Sequence, residues 1–168
     1  SSPYSSTKAS SDLIAYSYFK TYNFPILVSR CCNNYGPKQH KEKFIPVVIN
    51  SIYQDEKIPV YGKGENIRDW IYVLDHCRAL WKILNDGKIG GTYNIGSNTE
   101  KTNIQMIKQV CRNMRVRYKD HIKYVDDRLG HDFRYAIDNT KLTKLGWKPM
   151  YTLSQGMKKT VNWYVDQF

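Results

Sequence analysis

Residues 26–31, Ile-Leu-Val-Ser-Arg-Cys, are a short run rich in branched side chains, bounded by Pro25 before and by Asn33-Asn34-Tyr35-Gly36-Pro37 after. Such a run, too short for a helix and lacking strict alternation, predicts a strand buried on both faces of a parallel sheet. Immediately before it, residues 5–22 place Leu13, Ile14 and Tyr18 at helical spacing, and Pro25 follows the stop. A helix feeding a buried strand is the unit from which open α/β sheets are built. The Asn/Gly/Pro-rich segment 33–37 predicts a loop.

Working outward, the alternation continues. Phe44 to Tyr53 resumes helical spacing. Ile58–Tyr61 and residues 70–73 are strand-like on either side of the glycine turn Gly62-Lys63-Gly64, and Asp75 is placed to cap a helix running to about Leu84. Thr92–Ile95 predicts a strand, Asn103 opens a helix to Met114, and Ile122–Val125 predicts a weak strand. Asn139 and Thr152 stand where the N-caps of two last helices belong, with Leu142 and Leu145, then Met157, Val161 and Tyr164, facing inward. The fold class implied is α/β. No Gly-rich GxGxxG turn occurs, so the chain carries no dinucleotide fingerprint of its own, and the first element implies that something precedes it.

Composition narrows the function classes. The 168 residues are 41% hydrophobic, enough for one ordinary core, and no stretch approaches the roughly 20 apolar residues of a membrane span. The N-terminal SSPYSSTK lacks signal-peptide order, and the expectation is a soluble, intracellular protein without membrane association. Cys31, Cys32, Cys77 and Cys111 have neither zinc-site nor secreted-framework spacing, so reduced thiols and no metal are expected. Twenty-six basic against fifteen acidic residues give +11, which invites an acidic partner, whether nucleic acid, an anionic surface or a phosphorylated small molecule. The basic residues are scattered and follow no groove pattern, which argues against a nucleic-acid-binding module despite fourteen tyrosines.

Tyr4 and Lys8, four apart, share one helix face. An ammonium one turn from a phenol favours the phenolate, the form a base requires. The same spacing recurs at Tyr16/Lys20 and Tyr53/Lys57, so a surface helix pair stands beside the catalytic reading.

The order of the surrounding motifs is more specific: YSSTKASSD (4–12), CCNNYGP (31–37), EKFIP (42–46), IPVYGKG (58–64), IRDWIYVLDHCRAL (67–80), TYNIG (92–96), DDRLGHDFRYAID (126–138) and LGWKP (145–149). This series resembles the C-terminal half of the dTDP-glucose 4,6-dehydratases, extended short-chain dehydrogenase/reductases that act on nucleotide sugars. The likeness runs from Ser2 to Tyr164 and is loosest between about Met106 and Lys123.

The resemblance implies the C-terminal part of a Rossmann-like, doubly wound parallel sheet plus a small α/β substrate-binding lid. Residues 1–36 would end the NAD-binding Rossmann domain, and residues 37–168 would be mainly lid, with about 68–85 returning to the Rossmann domain. It implies Tyr4 as the base at the glucose C4 hydroxyl and Lys8 on the nicotinamide ribose of NAD. Asn34 would lie near the nicotinamide carboxamide and Asn33 on the sugar diphosphate; an Asx-turn closing the loop is the alternative for both. Arg68 and Arg128 would clamp the two phosphates, Lys43 and Phe44 close over the substrate, Pro59 and Tyr61 form a shelf for the base, and Asn103 holds the nucleotide. Tyr61 could equally be an inward-facing strand aromatic.

His76 and His131 are read as satisfied or half-buried histidines. The family's glutamate and aspartate that act at C5 and C6 have no counterpart here, and Asp69, Asp75, Asp126 and Asp127 do not match them. The substrate implied is dTDP-glucose or UDP-glucose, the product a 4-keto-6-deoxy sugar nucleotide of the rhamnose type, and the assembly a homodimer through the tyrosine helix. An epimerase or decarboxylase of the same extended family is the nearest alternative. The fragment alone is expected neither to hold NAD tightly nor to turn over.

Overall fold

The computed structural model describes residues 2–127, 130 and 132–168, so the expectations for Arg128 and His131 lie outside the described residues. In chain order the elements are α1 (Pro3–Tyr22), β1 (Val28–Cys31), β2 (Asn33–Tyr35), α2 (Phe44–Tyr53), β3 (Ile58–Tyr61), β4 (Ile67–Tyr72), α3 (Val73–Asp86), β5 (Thr92–Ile95), β6 (Glu100–Thr102), α4 (Asn103–Met114), α5 (Tyr118–His121), β7 (Ile122–Val125), β8 (Arg134–Tyr135), α6 (Thr140–Thr143) and α7 (Leu153–Val165). The class is α/β with mostly parallel pairing. Among the described residues the strands form three small sheets: β1 with β5, β2-β4-β6 with β8 added to β4, and β3 with β7; only β4–β6 is antiparallel.

Two cores share one strand. Trp70 and Tyr72 of β4 pack with Tyr35, with Ile45, Val48 and Ile49 of α2, with Met106, Ile107 and Val110 of α4, and with Met157 and Val161 of α7. Ile71, between them, joins Cys32, Ala79 and Ile83 of α3, Tyr93 and Ile95 of β5, Leu142 and Trp147. The period of two in an extended strand sends neighbouring side chains to opposite faces, so β4 builds both cores at once. Burying a large apolar side chain is worth about 1.5–3 kcal/mol, so the helices α2, α4 and α7 are held by their inner faces more than by helix propensity. Two of them start with capping boxes, Thr102 with Gln105 and Thr152 with Gln155, each satisfying two backbone N–H groups that a helix start leaves open.

The structure departs from the sequence reading at four places. β1 is mostly exposed, with β5 its one ladder partner among the described residues. α1 buries nothing: Leu13 is 70% exposed, and Ile14 and Tyr18 are exposed too. It is tied down by an Asp12–Arg30 ion pair at 2.7 Å and by the Phe19 ring lying where a side chain on Gly90 would go. Segment 33–35 is a strand, since its ladder to β4 (Asn33 opposite Trp70, Tyr35 opposite Tyr72) overrides the turn preference of Asn-Asn. Asp75 is not a cap. It lies inside the first turn of α3, fully buried, accepting from Met150 N at 2.9 Å, Tyr151 N at 3.0 Å and Arg78 at 2.9 Å, and so joins α3 to the approach to α7.

Candidate functional site

Three strands and two helix starts converge on a cleft of about 180 Å³. β2 contributes Asn33, the start of α2 Phe44, β3 Pro59, Val60 and Tyr61, β4 Arg68 and Trp70, and α4 Asn103 and Ile107. The glycine turn after β3 sets its rim. Gly64 has φ +70°, a Cβ there would come 2.8 Å from Val60 Cγ1, and its N–H donates to Tyr61 O at 3.0 Å, which ends the strand with Tyr61 at the cleft.

Arg68 is half-buried, and its guanidinium is held by backbone carbonyls: Nη1 donates to Ile67 O at 2.7 Å, and Nη2 to Asp132 O at 2.8 Å. Burial lowers its pKa below the ordinary arginine value, against the opposing fields of Asp132 and Tyr135. Two of its donors thus hold the planar fork in one orientation. Trp70 is fixed beside it by Nε1 donating to Lys101 O at 3.4 Å and by the Phe44 ring, 5.8 Å between centroids. Between these two side chains Asp69 points the other way, 1% exposed, accepting from Thr99 N at 2.7 Å and Ser97 N at 3.0 Å. That carboxylate ties β4 to the β5–β6 turn, and the chain from that turn leads through β6 to Asn103. Burial first, and the Asp69 carboxylate second, push the Cys32 thiol far above its ordinary pKa, so it stays protonated.

Asn33, Phe44, Pro59, Tyr61, Arg68 and Asn103 are therefore brought to one cleft. Lys43 is exposed at the N-cap of α2 and is not among its lining residues. Asn34, on the other face of β2, donates Nδ2 to Cys32 O at 3.2 Å and to Cys31 Sγ at 3.4 Å, which removes the Asx-turn alternative; its Oδ1 is buried without a hydrogen-bond partner. Tyr4 and Lys8 are not at the cleft: Tyr4 is 73% exposed near the start of α1, and Lys8 is exposed one turn on. His76 is half-buried, as expected, and burial lowers its pKa. Val60, Trp70 and Ile107 also line the cleft and were not singled out from sequence. The signal for Ile107 was its place one turn after Asn103, and for Trp70 its place two residues after Arg68 on a strand. No group of three or more metal-ligating side chains occurs among the described residues, and no helix there is long and apolar enough to cross a membrane.

Comparison with known proteins agrees with the motif order. A family model described as GDP-mannose 4,6 dehydratase matches residues 1–160. The dTDP-glucose 4,6-dehydratase of Neisseria gonorrhoeae is 45% identical over 177 residues, covering 99% of this chain and 51% of that protein. Among solved structures, the dTDP-glucose 4,6-dehydratase of Bacillus anthracis in complex with NAD superposes with a TM-score of 0.92 at 48% identity, over 99% of this chain and 53% of that one. That of Streptomyces venezuelae, with NAD and dTDP bound, gives 0.94 at 38% identity, over 98% and 51%. The chain spans about half the length of the relatives it matches. With a family match over nearly all of its length and the sheet, helices and cleft in place, the chain belongs to the GDP-mannose 4,6 dehydratase family of nucleotide-sugar enzymes.

Proposed function

We propose that this chain is the substrate-binding part of an NAD-dependent dTDP-glucose 4,6-dehydratase, and that the Arg68 cleft holds the nucleotide diphosphate of its substrate. The observation that carries the reading is the convergence of Asn33, Phe44, Pro59, Tyr61, Arg68 and Asn103, scattered over seventy residues of sequence, on one small cleft. Arg68 offers its remaining N–H groups to the two phosphates, charge-assisted bonds about twice as strong as neutral ones. Pro59 and Tyr61 give the base a flat apolar edge, Asn103 a polar contact at its rim, and the Phe44–Trp70 wall excludes water from the diphosphate. Arg128 and Lys43 enter as the second clamp and a closing residue on their motifs alone.

The orphaned Oδ1 of Asn34 fits the amide donor of a nicotinamide ring, whereas the described residues offer no cradle for the cofactor's phosphates. Bound NAD would supply hydride chemistry, a store for the hydride that leaves C4 and returns to C6 once water is lost across C5 and C6. Tyr4, by the likeness of its motif, accepts the proton of the C4 hydroxyl, with Lys8 holding the nearby ribose. The product is then a 4-keto-6-deoxy sugar nucleotide, the kind that leads to rhamnose. A division into a Rossmann part (1–36 and about 68–85) and a lid is supported by the two cores that β4 separates. The same reading includes a cytoplasmic homodimer paired through α1, for which the exposed apolar residues of that helix are the support.

Calorimetric titration of the chain with dTDP tests the cleft directly. Binding that weakens by about tenfold or more in Arg68→Gln and by less in Lys63→Gln supports it; equal affinity in both variants sinks it. Titration with UDP separates dTDP-glucose from UDP-glucose as substrate. NAD binding at micromolar affinity by this chain alone would show the cofactor site to be misplaced. For the full-length enzyme, an alkali-absorbing 4-keto-6-deoxy product distinguishes the dehydratase from an epimerase or decarboxylase.

A further inference from the structure

The stretch 108–123, where the resemblance to the dehydratases is loosest, holds six lysines and arginines against one aspartate. Folding gathers four of them, so the sequence-level reading that the basic residues follow no groove pattern does not hold here. Lys108 and Arg112 sit one turn apart on α4, and Arg117 and Lys119 flank the start of α5. Together they line a cleft of about 570 Å³ whose walls also include Cys111 and Tyr118.

All four cations are exposed, and among the described residues Asp120 is the one carboxylate that pairs with any of them, 3.6 Å from Arg117 Nε. The floor is apolar: Cys111 is buried, its thiol pushed up to about 11 by burial and so uncharged, and the Tyr118 ring lies 4.7 Å beneath Lys108 Nζ. Lys108 and Arg112 are like charges at i and i+4, an arrangement that costs an isolated helix a few tenths of a kcal/mol. Arg112, in the last turn, complements the helix dipole. That reason does not extend to Arg117 and Lys119, which lie beyond the end of α4. Four positive side chains around one apolar-floored cleft with one carboxylate leave an uncompensated field that a compact polyanion neutralises.

We infer that the α4–α5 cleft is a second anion site, separate from the Arg68 cleft, that takes a di- or triphosphate group. Two arginine forks and two ammonium groups match clustered phosphate oxygens better than they match a single carboxylate. The source is either inorganic pyrophosphate or the phosphates of a nucleotide, and the Tyr118 edge gives a base somewhere to pack.

The test is titration of the 168-residue chain with sodium pyrophosphate, tripolyphosphate and dTDP at low ionic strength, with amide chemical shifts followed in a ¹⁵N-labelled sample. The expected result is pyrophosphate binding with Kd below about 1 mM, shifts at residues 108–119, and a loss of roughly tenfold or more in Arg112→Gln/Lys119→Gln. All four lining cations are exposed, so this variant keeps the core intact; an unchanged melting temperature verifies it. Arg68→Gln should leave those shifts in place, which separates the outcome from that of the dTDP reading. Tighter binding of dTDP than of pyrophosphate at 108–119 assigns the source to a nucleotide, and equal affinity assigns it to phosphate alone. Shifts confined to residues 59–70, affinity unchanged in the double variant, or preference for a thymidine oligonucleotide over pyrophosphate would each overturn the inference.

Discussion

Replacing Asp69 by Asn should destabilise the fold and loosen the candidate site together. Its carboxylate is buried and accepts two backbone N–H bonds, from Thr99 at 2.7 Å on Oδ1 and from Ser97 at 3.0 Å on Oδ2. A third contact, from Ser97 Oγ at 3.3 Å, is expendable, because that hydroxyl has a shorter bond to Trp70 O at 2.6 Å. Asparagine keeps one oxygen and presents an NH₂ to the other N–H, so one charge-assisted bond is lost and one buried donor is left unpaired. Taking about 1.5–3 kcal/mol for a bond to a charged group and about 1–3 for a stranded donor, part of which water recovers, the cost is roughly 2–4 kcal/mol.

That is a large share of the 5–15 kcal/mol typical of a domain. With an m-value of roughly 2 kcal/mol/M in urea, the unfolding midpoint should fall by about 1–2 M, read by tryptophan fluorescence with Trp70 next door. The same substitution frees the 97–99 turn, and with it Lys101 O, which holds Trp70 Nε1, and the start of α4 at Asn103. Affinity for dTDP should fall with stability. A midpoint within about 0.25 M of the parent, equivalent to roughly 0.5 kcal/mol, would show that the turn does not depend on this carboxylate, and the physical account of the Arg-Asp-Trp motif would go with it.

Gly156→Ala should destabilise by about 1–3 kcal/mol despite the better helix propensity of alanine, because the new Cβ would press into Tyr35 Oη and the Tyr72 ring; urea unfolding measures it, and a gain in stability refutes the packing reading. A thiol reagent should modify Cys31 and Cys77 quickly and Cys32 and Cys111 only after unfolding, and four fast thiols by mass spectrometry would contradict the burial of the latter pair. Burial lowers the folded-state pKa of His76 from 6.5. The unfolded chain therefore binds this proton first, and stability present above pH 6.5 is lost as pH falls from there toward the folded pKa. Thermal melts across that window should show a smaller acid loss in His76→Gln, and parallel curves for the two proteins would refute it.

Most of the helical frame was legible because local signals and burial agree. Ile45, Val48 and Ile49, then Met106 and Val110, then Met157, Val161 and Tyr164 fall three or four apart and all lie in the core. The two Thr-x-x-Gln boxes mark where α4 and α7 start. Where reading failed, the deciding partner is distant in sequence. Asp75 looks like a cap because Asp suits that role, yet its acceptors are claimed by N–H groups at positions 150 and 151. Asn33 and Asn34 look like a turn, yet a ladder to residues 70 and 71 makes them strand. Ile26 to Cys31 reads as buried on both faces, while Ile26 to Val28 are half-buried and Ser29 to Cys31 exposed. Lys108 and Lys119 look like scattered surface charge because their meeting depends on how α5 folds back onto α4.

The candidate site shows the same dependence in one strand. Arg68, Asp69 and Trp70 are adjacent in sequence, and only in a strand does adjacency mean opposition: the first and third line the cleft while the second is sealed on the far side. In a helix the three would fan out over about 200° and could not share this division. The outward pair lines the cleft, the inward carboxylate fixes the turn that leads to Lys101 and Asn103, and each role requires the other's position to be an alternate residue. A substitution that preserves the arginine but shifts the register of β4 by one would turn Arg68 toward Ser97 and Thr99, whose N–H groups donate to Asp69 and cannot pair with a guanidinium. The strand register, more than the identity of any one side chain, is therefore what turns the Arg68 fork into the cleft.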